Sequence, residues 1–268
     1  MSKPNNIWKN ERNFDDESLK KQRYFFVAEH NDLISKARHD LTARELKIMD
    51  YVISKIKPDD EHFNLIVTSM YELSNVLDLK RNGRTYSQIA NNLSSMRRKD
   101  VYIYNEEERS ITMTGWFERA KVWENGKIEL KVNEEFAPYL LKLKDKGNYT
   151  QHLLIDTVKL KSKYSILLYK LMRETQEKDN QTNGPVLVGS LKDFKEALGA
   201  PEKYNYGRLK DKILKPTIEE INLMIDDMDL HLYEKKQGRK VVLAKIRNEW
   251  STTSDTQIPI HDWLDVSK

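Results

Sequence analysis

One pattern occurs twice in this chain, and it restricts the fold more than any single motif. SMYELSNVLD, from Ser69, and SLKDFKEALG, from Ser190, share one plan. Both read serine, apolar residue, any residue, acid, apolar residue, two others, small apolar residue, leucine. Thr42 with Glu45 and Ser69 with Glu72 each predict a capping box, and so a helix start, and Ser190 reads as a capping serine. Tyr86, Ile89 and Leu93 follow the first copy; Tyr206, Leu209 and Ile213 follow the second. Upstream, Thr42 opens LTARELKIMDYVISKI and Ser162 opens SKYSILLYKLMRETQ. The spacing from Thr42 to Ser69 matches that from Ser162 to Ser190 within one residue. Downstream, Asn125-Gly126 is a strong two-residue hairpin turn, and Gln237-Gly238 answers it. Two copies with a period near 120 residues are a duplicated domain and not a solenoid.

Within a copy the elements run helix, strand, helix, turn, helix, hairpin. His62–Thr68 supplies the first strand by its β-branched content. From Val101 the period alternates: Val101–Tyr104, Ile111–Thr114, Trp116–Trp123 and Lys127–Val132 read as strands. That order is a winged helix, in which the third helix enters a groove and the hairpin is the wing. The expected fold class is therefore α+β, two tandem winged-helix domains related by internal duplication. The expected divisions are a mobile arm (1–24), a first domain (25–143), a linker (144–149), a second domain (150–250) and a flexible tail (251–268). Ile258, Ile260, Trp263 and Leu264 leave that tail some capacity to dock.

The third helix of each copy carries concentrated positive charge. Lys80–Lys99 holds six basic residues and no acid. Tyr86, Ile89, Ala90, Leu93 and Met96 form one helical stripe, so the opposite face is polar. Asn and Gln pair bidentately with adenine and Arg with guanine. The spacing thus predicts a helix built for a DNA major groove. Arg84, Thr85, Gln88, Asn91 and Asn92 are the candidates for base contact; Arg97, Arg98 and Lys99, with Arg81 nearby, suit phosphate. In copy two, Lys203–Lys215 carries five cations against Asp211. Tyr206, Arg208, Lys210 and Lys212 are its candidate base readers, flanked by Lys203 and Lys215. Candidate wing contacts are Arg119, Lys121 and Lys127 in the first wing and Arg239 and Lys240 in the second. Such readers would reach successive major grooves about 34 Å apart, covering roughly 20 base pairs. Joining them makes the second contact intramolecular.

Composition removes other classes. The net charge of +4 is small, so the clustering carries the nucleic-acid reading. With no cysteine, disulfides and thiolate metal sites are excluded, which suits the cytoplasm. No run of 18 apolar residues suggests a membrane span. No catalytic, metal or cofactor site is expected. His231-Leu232-Tyr233 has one histidine where a nicking enzyme's metal pair needs two. Gly184–Ser190 lacks the lysine of a phosphate-binding loop. Asp226-Asp227-Met228-Asp229 reads as a helix end, and His152 as a structural or surface residue.

Several blocks, in order, resemble a known family. HNDLISKARHDLTARELKIMDYVISKI (30–56), KLKSKYSILLYKLMRE (159–174) and SLKDFKEALGAPEKYNYGRLKDKILKPTIEEIN (190–222) are similar to the replication initiator (Rep) proteins of iteron-containing, theta-replicating plasmids. The run Leu214-Lys215-Pro216 with Ile218–Asn222 is the most distinctive block, and coverage is roughly 25–248. The resemblance implies two winged helices that embrace iterons at a plasmid origin, with a monomer that initiates. It also implies a dimer, made largely through the first domain, that represses the initiator's own gene. Origin opening and recruitment of host initiator and helicase proteins are expected with it. A winged-helix transcription regulator without a replication role is the alternative.

Overall fold

The computed structural model describes residues 16–79, 83–105, 108–175, 178 and 184–250. Helix α1 (Asp16–Gln22) buries Leu19 and packs on a later helix, so residues 16–24 are docked and are not part of a free arm. Strand β1 (Phe26–His30), α2 (Asn31–Ser35) and β2 (Ala37–His39) follow. Helix α3 (Ala43–Ile53) starts where the sequence predicts, and both halves of the Thr42–Glu45 capping box are present. It leads to β3 (Ile66–Ser69) and α4 (Met70–Val76). Ser69 caps α4 by accepting from the Glu72 N–H, but the Glu72 carboxylate does not close the box. It accepts instead from the Tyr51 hydroxyl (2.7 Å) and from Lys55 (3.0 Å), tying α4 to α3. Helix α5 (Gly83–Arg98) then precedes four strands: β4 (Asp100–Asn105), β5 (Ser110–Gly115), β6 (Phe117–Val122) and β7 (Lys127–Val132).

Those strands separate into two antiparallel sheets, β2-β4-β5 and β3-β7-β6. The β6–β7 hairpin is the first wing, and Gly126 takes the positive φ (85°) its turn needs. The chain continues through a 3₁₀ turn (Glu134–Phe136), α6 (Ala137–Leu140) and α7 (Leu143–Lys146) into β8 (Tyr149–Leu153). The expected linker at 144–149 is thus structured. Leu143 is fully buried, and β8 pairs antiparallel with β1 across five positions.

Helix α8 (Leu154–Lys159) leads to α9 (Lys163–Glu174), β9 (Val186–Gly189) and α10 (Leu191–Leu198). Ser190 and Asp193 form the second complete capping box. Next, α11 (Tyr206–Leu209), a π-helical turn (Lys210–Leu214) and α12 (Lys215–Met224) run on as one rod. The Lys215 N–H reaches back five residues to the Lys210 carbonyl. Pro216 therefore lies within the rod, its missing donor absorbed by the widened turn, and does not open a separate helix. Strands β10 (Leu230–Gln237) and β11 (Lys240–Asn248) close the second wing, in a sheet ordered β10-β11-β9.

The two copies share one apolar core, which runs from Val27 through Leu46, Val52 and Leu93 to Ile166, Tyr169 and Ile221. A charged triad lies inside it. Lys170 on α9 sits 2.6 Å from Asp50 on α3 and 2.8 Å from Glu29 on β1, with side-chain exposures of 9%, 0% and 4%. Burial disfavours the ammonium, but Asp50 and Glu29 together outweigh it and hold its proton above the ordinary lysine range.

Candidate nucleic-acid interface

In α5 the sequence periodicity is realised. Ile89, Leu93 and Met96 are buried, while Arg84, Gln88, Asn91, Arg97 and Arg98 are exposed along the opposite face. Two predicted readers are placed differently: Thr85 is buried and Asn92 half-buried. Lys99 does not face outward freely. Its ammonium is 2.7 Å from Glu45 and also donates to the Asp40 carbonyl, locking the end of α5 to the start of α3. Gln88 accepts from Arg44 at 2.6 Å, which adds a guanidinium from α3 that the sequence reading did not single out. Arg81 lies outside the described residues.

On the first wing, Glu129 gathers Lys127 (2.8 Å) and Arg119 (3.4 Å). These cations and Lys121 hold its carboxyl below the usual range, with the Lys127 hydrogen bond the largest cause. Lys121 and Lys127 both lie over the Trp123 ring, at 4.4 and 4.8 Å from its centre, within cation–π range. The Tyr86 hydroxyl donates to the Trp123 carbonyl (2.8 Å), joining the helix to its own wing.

The second copy repeats this plan with different chemistry. Asn205 caps α11 by accepting from the Arg208 N–H, and the Arg208 guanidinium stacks over Tyr204 at 4.7 Å. Lys203, Arg208, Lys212 and Lys215 are exposed, Lys215 lying 3.6 Å from Asp211. Tyr206 and Lys210 are engaged: both reach Glu234 on β10, at 3.0 and 2.6 Å. Desolvation and the Glu234 carboxylate push the Tyr206 hydroxyl above its ordinary range. Arg239 and Lys240 are exposed at the wing tip, as the sequence implied. Lys235 and Lys236 are exposed beside them, so KKQGRK forms one cationic tip; its charge run was the available signal. Of the acids beyond Pro216, Glu220 is structural. Its carboxylate accepts from Lys161 N–H (2.7 Å), Ser162 N–H (3.3 Å) and Ser165 Oγ–H (2.5 Å), anchoring the rod to the start of α9.

The residues weighed for catalysis are dispersed among structural roles. Asp227 takes a bidentate pair from Arg173 at 2.7 and 2.6 Å. His231 lies 3.1 Å from Asp229. His152 is buried against Tyr169, and burial lowers its pKa well below the ordinary value, so the ring is neutral. Among the described residues, no three metal-ligating side chains cluster, and no helix is long and apolar enough to cross a membrane.

Fold and surface together define a tandem winged-helix protein with a cationic third helix and wing in each copy. Family models agree with that class: the WH1 domain of the initiator replication proteins matches residues 26–173, and their WH2 domain matches 190–247. The chain belongs to the initiator replication protein family. It is similar to the Pi initiator protein, solved in complex with iteron DNA, at a TM-score of 0.67 and 16% identity over 86% of this chain and 99% of that one. Domains 2 and 3 of RctB align at a TM-score of 0.49 and 11% identity, over 80% of this chain and 86% of that one. No curated protein matches the chain significantly.

Proposed function

We propose that this protein is a sequence-specific initiator of plasmid replication that binds repeated sites, the iterons, in double-stranded DNA at its own origin. One observation carries the reading: α11 to α12 and the KKQGRK tip give a single domain an exposed cationic reader and an exposed cationic wing. Family membership and the likeness to an initiator solved on iteron DNA support it. Phosphate contacts from such cations supply affinity, and base-edge contacts supply choice. Binding would open the origin and bring in host initiator and helicase proteins, without catalysis by this chain, in the cytoplasm.

A monomer–dimer equilibrium, with the dimer repressing the chain's own gene, belongs to the same proposal. Its support is an apolar face on β4–β5, where Tyr102 lies opposite Met113 and Tyr104 opposite Ile111. Ile111 and Met113 are 58% and 70% exposed, on the strand at the sheet's edge. A second copy would cover this face. Deleting the gene from its replicon tests initiation. Loss of replication, restored by the gene supplied elsewhere, is expected. Unchanged copy number would leave a transcription regulator in its place.

A further inference from the structure

A carboxylate sits where a polyanion-binding surface should exclude one. Along β10, Leu230, Leu232 and Glu234 occupy alternate positions on the face turned to the core, Leu230 being fully buried. Glu234 is the last of these before the bulge at Lys235/Lys236 and stands opposite Ala244. One of its oxygens meets both Lys210 (2.6 Å) and the Tyr206 hydroxyl (3.0 Å). The other faces Lys236 at 3.8 Å. Its side chain is 17% exposed, in a domain that exposes Lys203, Arg208, Lys212, Arg239 and Lys240, with the exposed acid Asp211 paired to Lys215.

The duplication separates two possible reasons for this acid. Tyr86 and Tyr206 hold equivalent places, and each ties its helix to its wing. In copy one the acceptor is a neutral carbonyl, that of Trp123. A tether therefore requires no charge. What copy two has in addition is Lys210, one turn beyond Tyr206, where copy one has Ala90. The charge of Glu234 is matched to Lys210, and the tyrosine alone would not call for it.

We infer that Glu234 is a specificity-determining positioning residue: it fixes Lys210 against the wing and withholds that cation from phosphates of any sequence. An interaction that penalises the wrong partner sharpens a difference in affinity as surely as a contact that favours the right one. Lys210 becomes available only where a groove of the correct shape and base pattern competes with the carboxylate. This inference rests on the reading that this face meets duplex DNA.

The test uses the full chain and two duplexes of equal length: one selected from a random pool by the wild-type protein, and one of scrambled sequence. Glu234→Gln keeps an acceptor for Tyr206 and releases Lys210. One added phosphate contact raises the salt slope on scrambled DNA by about 0.9. At physiological salt that slope corresponds to roughly fivefold tighter scrambled binding. Selected binding should rise less, so the selected-to-scrambled ratio falls. Lys210→Met in the Glu234→Gln background should return the scrambled slope to the wild-type value. An unchanged slope and ratio, or an equal loss on both duplexes with a lower melting temperature, would overturn the inference. If the wild-type chain enriches no sequence from the pool, the DNA-reading proposal itself fails.

Discussion

Lys170→Met tests whether the buried triad ties α9 to α3 and β1. Methionine has nearly the volume of the lysine stem, so the change leaves little cavity and isolates the electrostatic part. What remains is Glu29 beside Asp50, both almost wholly buried, with their shared cation removed. Removing one partner of a buried pair costs about 3–5 kcal/mol, because an uncompensated charge stays inside. For a chain of this size that corresponds to a melting temperature lower by roughly 10 °C. The loss should depend on pH with a defined sign. Burial raises the Glu29 carboxyl above its ordinary range and Asp50 pushes the same way, while Lys170 is the group that lowers it. In the variant the folded-state pKa therefore rises further above the unfolded one. Such a group favours the fold below its unfolded pKa and loses that contribution as pH rises through its folded pKa. The deficit should be smaller at about pH 5 than at about pH 8. Urea unfolding followed by circular dichroism and by tryptophan fluorescence measures it, with coincident transitions required for a two-state treatment. Neutralising all three positions (Glu29→Gln, Asp50→Asn, Lys170→Met) should recover most of the loss. A deficit under about 1 kcal/mol, or one independent of pH, would refute the reasoning.

Arg208→Ala should weaken binding to a selected duplex by about 1–3 kcal/mol and relax discrimination at one base position, read by competition titration. Lys99→Ala should lower the melting temperature and leave the salt slope of binding unchanged, because its ammonium is held by Glu45 and Asp40. A slope reduced by about 0.9 would return Lys99 to the phosphates. Met113→Asp should weaken self-association in sedimentation equilibrium while leaving thermal stability within about 0.5 kcal/mol, as expected for an exposed position.

Local signals were the legible part of this chain. Thr42, Ser162 and Ser190 begin helices because a cap needs only residues two or three apart, and Gly126 and Gly238 turn hairpins by their own backbone freedom. Contacts between distant segments were not legible. KDKGN looks like a linker by composition, yet Leu143 ahead of it is buried and β8 beyond it pairs with β1, more than a hundred residues back. Lys170 sits in an apolar helix with nothing local to show that Asp50 and Glu29 await it. The same limit applied to the candidate interface. A helical wheel separates Arg84 and Gln88 from Ile89, but it cannot show that Lys99, Tyr206 and Lys210 are engaged by acids elsewhere in the chain. The Ser69 box failed for a related reason: Glu72 has a stronger claim from buried Tyr51 and from Lys55.

Hydroxyl-radical footprinting of the monomeric chain on its own replicon examines the paired-reader account most directly. Two winged helices acting together should protect direct repeats in two backbone patches one helical turn apart, spanning roughly 20 base pairs. Protection of a single groove segment of about 10 base pairs, or of no preferred sequence, would contradict it.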